Sequence, residues 1–390
     1  MISFQPSQEE RELRQLAREF AQSRLRPLGR EAEKRACPPL TLLQEYRDLG
    51  LGAVALPEAL GGAGLSQVSA CLVEEELAWG DPGLALALGL ADATLAFLAD
   101  LLGEGAAGSA PAGPGVVLWP QAADDPLGGQ GITWTTLLEA TPEGERLSGR
   151  VSAAPGVLDA AWLLVPAARG ERVAFYRVGK SAPGVTCVPL AQPLGLAAAG
   201  WAEVILDRVA LGQDALVWEG RASDPALARA RERARLRVAA QLVGTARAAL
   251  EYAVQYAAER KAFGQLIAQF QGVSFLLADM AMAVESARNL IWHAAWRLGL
   301  GELPAGGAQA LLHARAVSLE VTSGAVQVLG GHGYMADHPV EKWMRDARAL
   351  STAVWPETAL EVEAAVQLGL GPGWTAGSPA MTGSPQGGAA

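Results

Sequence analysis

Within five residues the chain sets an arginine, an aromatic ring and a glycine side by side, as Arg260-Lys261-Ala262-Phe263-Gly264. Together they offer a fixed cation, a stacking face and backbone open to close approach, groups that suit a phosphorylated, ring-bearing cofactor. The plainer reading of the same residues is a helix corner with a solvated arginine. About 65 residues further on, Gly330-Gly331-His332-Gly333 makes a Gly-Gly-x-Gly turn inside the stretch Gln327 to Arg348. Alone, a glycine turn after a helix is weak evidence for phosphate binding.

These groups need elements to hold them. An Ala-rich amphipathic segment, Arg235 to Arg260, leads into the first stretch, and a second apolar helix is expected from Leu266. Gly264 marks a break or a close approach between the two. The glycine turn closes a helix, and Pro339 opens the next near its first turn. Segments near Pro225–Glu259, Leu266–Leu298, Pro304–Leu329 and Val340–Leu368 have the lengths of a helix bundle.

Upstream, Ser7 to Lys34 has helical spacing, Leu40 to Leu49 makes a second helix, and Leu56 to Ser66 is a Gly-rich loop. Val68 to Trp79 forms a third helix, with Glu74, Glu75 and Glu76 in its middle. From Val116 to Leu216 the pattern changes to short β-like runs: Val116–Leu118, Ile132–Leu138, Ala161–Val165, Val173–Val178, Val185–Leu190 and Ala202–Leu206. The expected division is an N-terminal helical domain over 1–112, a middle antiparallel β-barrel or sandwich over 113–222, and a C-terminal four-helix bundle over 223–371. A Gly/Pro/Ser/Ala-rich tail, expected to be disordered, fills 372–390.

The two stretches in this order, with the "LPEALGGAGLS" loop and its following Glu-Glu-Leu helix, resemble the flavin-dependent acyl-CoA dehydrogenases. That resemblance covers nearly the whole chain and implies a reaction. A carboxylate removes the α-proton of an acyl-CoA, FAD takes a hydride from the β-carbon, and the 2-enoyl-CoA results. Position by position it implies that Arg260 and Phe263 hold the FAD pyrophosphate and adenine side, with Phe270, Gln327 and Gly331 as further contacts. In the family these groups reach a neighbouring chain's flavin, so a dimer or tetramer, homo- or hetero-oligomeric, is implied. An electron-transfer flavoprotein-like acceptor is implied as well. Arg235 matches an arginine that the family places near the acyl pocket.

The base position departs from the family. Its Glu-Gly-Thr turn has no counterpart after Arg345-Asp346-Ala347, and the nearest match, Glu357-Thr358, falls two or three residues late. Glu357 is therefore the candidate base and Thr358 a candidate cofactor contact; the other reading of Glu357 is an acid opening the last helix. An ungapped match puts Val354 at the base position, and the branch that places a glutamate on the first bundle helix has Ala234 here. Glu361 and Glu363 read as solvent-facing, and Arg345, Asp346 and Arg348 as an exposed charge cluster. In the middle domain the family's flavin-side loop becomes Leu118 to Asp125, and Pro155 stands where a hydrogen-bonding threonine is usual.

Two alternatives to a self-sufficient enzyme stay open: a non-catalytic partner subunit that completes FAD binding in trans, and a flavin-free CoA-ester binding or scaffold protein. Composition narrows the rest. A net charge of −10 disfavours nucleic acid or an anionic membrane surface as partner. Three scattered cysteines and no CxxC pair suit a reducing cytoplasm and neither a disulfide framework nor a zinc site. His293, His313, His332 and His338 lack metal-ligand spacing, and no metal is expected. Charged helix-forming sequence after Met1-Ile2-Ser3-Phe4 predicts no signal peptide. Leu84 to Leu102 carries Asp92 and Asp100 and reads as buried helix, not a membrane span. The excess of arginine over lysine hints at a GC-rich bacterial source.

Overall fold

The computed structural model describes residues 5–103, 113–118, 136–142, 144–169, 172–352 and 355–370. Helices α1 (Gln8–Phe20), α2 (Arg26–Arg35), α3 (Leu40–Asp48), α4 (Gln67–Gly80), α5 (Pro82–Leu88) and α6 (Leu90–Leu102) come first. A π-helical turn, Ala21–Leu25, joins α1 to α2 without a break. Local chemistry sets several of the starts. Ser7 and Glu10 form a reciprocal capping box on α1, Ser66 caps α4, and the Asp81 carboxylate accepts from Leu84 N at 2.9 Å to begin α5. Among the described residues no single helix is long and apolar enough to cross a membrane.

Among the described residues eight strands follow: β1 (Gly115–Val117), β2 (Thr136–Thr141), β3 (Gly144–Ala154), β4 (Trp162–Arg169), β5 (Arg172–Gly179), β6 (Val185–Pro189), β7 (Ala202–Ala210) and β8 (Leu216–Gly220). They form two four-stranded sheets, ordered β1-β4-β5-β8 and β2-β3-β7-β6. The inner faces share one core, with Val165, Ala174 and Tyr176 of one sheet beside Leu147, Val151 and Val204 of the other. Among the described residues the middle domain is thus a sandwich and no closed barrel, and it is not wholly antiparallel, since β1 runs parallel to β4. The outer face of the first sheet packs Trp162, Leu164 and Phe175 against Phe97, Leu98 and Leu101 of α6 and Leu227 of the next helix.

The remaining helices are α7 (Pro225–Glu259), α8 (Gln271–Gly299), α9 (Gly307–Leu329), α10 (Val340–Thr352) and α11 (Glu357–Gln367). The fourth expected segment is two helices, because Pro356 caps a new one. Helices from both ends of the chain share one hydrophobic core, in which Leu72 and Leu77 of α4 meet Leu242, Val243 and Ala246 of α7. Gly244 marks the closest approach: a Cβ there would collide with the Glu75 carbonyl oxygen. The expected tail at 372–390 lies outside the described residues.

Charge knits the same helices together. Successive residues of a helix point about 100° apart, so three consecutive glutamates of α4 reach α1, α7 and α8 between them. Glu74 accepts from Arg237 Nε at 2.5 Å and from Gln241 Nε2 at 2.7 Å, both on α7. Glu75 accepts from Arg288 Nη2 of α8 at 2.8 Å, and Glu76 from Arg14, Arg18 and Arg247. A second buried set ties α10 to α5: Lys342 Nζ lies 2.6 Å from both Asp81 and Asp346. Asp346 also accepts from Leu196 N at 2.7 Å. The Arg345–Arg348 stretch is therefore no exposed cluster, for Asp346 is buried and Arg345 pairs with Glu33 and Glu341; only Arg348 stands out in solvent.

Candidate active site

A cleft opens where the helices meet the sandwich, with an empty volume of about 1170 Å³, part of it open to solvent. Its walls come from α4 (Gln67, Cys71, Glu74), α6 (Asp92, Thr94, Phe97), the end of β3 (Ala153, Ala154) with Pro155, and α7 (Arg233, Ala234, Arg237). Trp355, at the junction before α11, also lines it. Most of this lining is apolar. Arg233 is held by Asp100 at 2.8 Å and Gln67 at 2.7 Å. Burial pushes the Cys71 thiol up to about 12, which keeps it protonated and unreactive at neutral pH.

The carboxylates facing the cleft are Glu74 and Asp92. Burial raises the Asp92 carboxyl above its ordinary range, against the lowering influence of Arg237 and Arg47. At the two places where the family's base could stand, the described residues offer Ala234 and, beyond Val354, Trp355. Val354 itself lies outside the described residues, as does the Trp119–Asp125 loop. Glu357 and Thr358 open α11, exposed and off the cleft wall. Glu357 instead acts on Arg315, whose buried guanidinium donates to Trp355 O at 2.6 Å.

Arg235 does not reach the cleft. Its guanidinium is buried and held by Glu363 at 2.7 and 2.6 Å and by Glu232 at 3.2 Å. One helical face explains this: residues 233 and 237 are four apart and share a face, while 235 points nearly opposite. The cationic wall is Arg233 and Arg237 in its place. Glu363 is accordingly a partner of Arg235 and not a solvent-facing acid, whereas Glu361 is exposed.

At the far end of α7 the predicted cofactor residues cluster. Arg260 caps the helix, donating its backbone N–H to Tyr256 O at 2.9 Å. Lys261–Ala262 and Gln265–Leu266 pair as strands β9 and β10 of a two-residue hairpin, with Phe263 and Gly264 both at positive φ (52° and 85°). Gly264 is thus half of a tight turn and not a simple helix break. A phenylalanine at φ 52° is strained, and its ring is 97% exposed, in edge contact with Phe270 at 6.4 Å. Gln327, in the last turn of α9, and Gly331, on the turn after it, lie nearby, because Tyr256 Oη hydrogen-bonds His332 Nδ1 at 2.7 Å. The turn histidine is thereby fixed to α7. From Ala234 to Arg260 the chain takes 26 helical steps, roughly 39 Å at 1.5 Å each.

Comparison with known proteins settles the family. The acyl-CoA dehydrogenase N-terminal domain model matches residues 7–104, and the C-terminal domain model matches 226–353. The probable acyl-CoA dehydrogenase FadE25 of Mycobacterium tuberculosis is 32% identical over 358 residues, 88% of this chain and 91% of that protein. This chain belongs to the acyl-CoA dehydrogenase family. A short-chain specific acyl-CoA dehydrogenase of Clostridium acetobutylicum is 28% identical, over 89% of this chain and 94% of its own. Among solved structures, butyryl-CoA dehydrogenase from Megasphaera elsdenii superposes with a TM-score of 0.82 at 25% identity, covering 94% of this chain and 100% of that one. A chain from a structure described as the electron transferring flavoprotein of Acidaminococcus fermentans reaches 0.84, also at 25%, covering 94% and 99%. The chain is thus a member of an oxidoreductase family with the three-part fold that its sequence predicts.

Proposed function

We propose that the assembly built from this chain dehydrogenates an acyl-CoA thioester to the 2-enoyl-CoA. The observation that carries this reading is the cleft between α4, α6, α7 and the end of β3, largely apolar and bounded by Arg233 and Arg237. Such walls suit an acyl chain. When bound, FAD supplies the hydride acceptor.

The residues at the far end of α7 fit the adenosine-pyrophosphate half of that cofactor. Arg260 is exposed and makes no ion pair among the described residues, Phe263 presents a bare ring face, and space over Gly331 is open. Roughly 39 Å of helix separates them from the chain's own cleft. They therefore serve a flavin seated in another subunit, and the working unit is at least a dimer. Electrons would leave to a flavoprotein acceptor.

A second reading is favoured by one observation: Ala234, one of the two positions at which the resemblance implies a base, lines the cleft without a carboxylate, while Glu357 is exposed outside it. On that reading the chain is the non-catalytic partner of a heteromeric dehydrogenase and lends Arg260, Phe263, Phe270, Gln327 and Gly331 in trans. The visible absorption spectrum of the chain purified alone separates the two. About one FAD per chain, bleached by an acyl-CoA, marks a self-sufficient enzyme. A colourless protein that stays colourless with added FAD marks the partner subunit. For a coloured, active chain, turnover surviving intact in Glu357→Gln removes Glu357 as the base.

A further inference from the structure

His332 projects from the glycine turn after α9, and its ring is held on more sides than an exposed side chain needs. Tyr256 Oη hydrogen-bonds its Nδ1 at 2.7 Å. His338 stacks on it, with ring centroids 5.3 Å apart and planes 12° from parallel. His338 is itself anchored, its Nδ1 lying 2.8 Å from Tyr252 Oη. Tyr252 and Tyr256 are four residues apart on α7, so they share a face and hold the two imidazoles side by side. Tyr256 also meets both rings edge-on, at 5.9 and 6.0 Å.

The turn closes without this support. Met335 N donates to His332 O at 3.1 Å, and Gly333 packs so tightly that a Cβ there would stand 2.5 Å from the Val326 carbonyl oxygen. Those backbone contacts set the path of the chain whatever side chain position 332 carries. What the tyrosines and His338 fix is the direction of the imidazole, and ordering an exposed ring costs rotamer freedom. A phenol donates more readily than it accepts, so Nδ1 takes the Tyr256 hydrogen bond and the ring's own N–H is at Nε2. That donor lies on the ring edge away from the Tyr256 hydroxyl and has no hydrogen-bond partner among the described residues.

Its neighbours say what it meets. Gly331, the preceding residue, has open space over it, and Arg260 follows one helical turn after Tyr256, to whose carbonyl it donates its N–H. A fixed, unused N–H beside an exposed guanidinium suits the oxygens of a phosphorylated ligand. We infer that His332 is a further cofactor-binding residue, donating Nε2–H to an acceptor on the adenosine-pyrophosphate half of a FAD seated in the neighbouring subunit. Tyr256 and His338 are positioning residues that hold the ring at that angle, so the donor meets the cofactor already oriented. This rests on the trans placement of the cofactor proposed above.

The test is FAD affinity, measured by titrating flavin into the flavin-stripped assembly and following flavin fluorescence. The assembly is this chain alone if it is coloured, and otherwise this chain with the subunit that restores the colour. His332→Ala should bind FAD about 10-fold more weakly. A glutamine amide nitrogen can stand where Nε2 stands, and an asparagine amide oxygen where Nδ1 stands. His332→Gln should therefore keep most of the parent affinity, while His332→Asn, which keeps only the tie to Tyr256, should lose as much as alanine. Circular dichroism melting and light scattering verify that each variant is folded and assembled. Parent affinity in the alanine or the asparagine variant overturns the inference, as does a glutamine variant as weak as alanine. Arg260→Ala separates the two levels. If it weakens FAD binding while the His332 variants behave in one of those overturning ways, only the role of His332 falls. If it leaves FAD affinity unchanged, or if no assembly of the chain binds FAD, the trans-cofactor reading fails and takes this inference with it.

Discussion

Arg247 of α7 grips Glu76 of α4 with both Nη atoms, at 2.8 and 2.5 Å, inside the core shared by the first and last thirds of the chain. The pair is sealed: their side chains are 7% and 2% exposed. Burial alone would raise the Glu76 carboxyl, but hydrogen bonds and charge from Arg247 and Arg14 outweigh it and hold the group at about 2.

That depression has a direction in pH. The folded-state value lies below the ordinary 4.5, so the stabilisation is whole above about 4.5 and is lost as pH falls toward 2. A shift of this size is worth roughly 3 kcal/mol at neutral pH. Glu76→Gln should lower the midpoint of denaturant unfolding at pH 7, and the gap from the parent chain should shrink progressively between pH 4.5 and pH 2. A gap that stays constant over that window would show that the effect is packing and not charge.

Lys342 sits between Asp81 and Asp346 with its ammonium 5% exposed. Burial would lower its pKa, but the two carboxylates raise it above the ordinary range, so it stays charged. Lys342→Met leaves two buried carboxylates facing each other and should cost about 3–5 kcal/mol. The double variant Lys342→Met with Asp346→Asn should recover part of that loss. Thermal melting of both variants measures it.

Phe263 combines a strained φ of 52° with a bare ring. Phe263→Gly should leave stability unchanged or slightly raised, since glycine accepts this conformation freely. It should weaken FAD retention by about 10-fold if the ring stacks on the cofactor in the partner subunit. Arg260→Ala should weaken FAD similarly through loss of a charge-assisted contact. Equilibrium dialysis of flavin against each variant checks this, and unaltered retention in both removes these residues from the cofactor site.

Gly244→Val tests the crossing of α4 and α7. Its side chain must occupy the place of the Glu75 carbonyl. Overpacking of this kind costs typically 1–3 kcal/mol, and displacing α4 would also disturb Glu74 on the cleft wall. A valine variant as stable as the parent by denaturant titration would mean that the helices can part without penalty.

Much of the fold was legible. The bundle segment Pro225–Glu259 is found with the same bounds, and the strands expected at 173–178 and 202–206 lie within β5 and β7. The misses share a cause. β3 and β8 escaped because each interrupts its apolar alternation with charge, as at Glu145, Arg146 and Glu219, of which Glu145 and Glu219 pair with Arg169 of β4. For Arg235, Glu363 and Asp346, residue type suggested solvent or substrate, yet each is paired inside the protein. Nothing local distinguishes a buried arginine with a glutamate 128 residues away from one reaching for a ligand.

By itself the sequence determined the order of helical, strand-rich and helical regions, the family, and the Arg260–Gly264 and Gln327–Gly331 segments. These are set by periodicity, capping residues and short motifs, all properties of neighbours along the chain. Only the tertiary structure decided that Glu74, Glu75 and Glu76 tie α4 to α1, α7 and α8, and that Arg233 and Arg237, not Arg235, face the cleft. It also decided that a long helix holds the cofactor-side residues far from the cleft of their own chain. The reason is that a charge chooses its partner by proximity in space, and burial then makes that choice costly to undo.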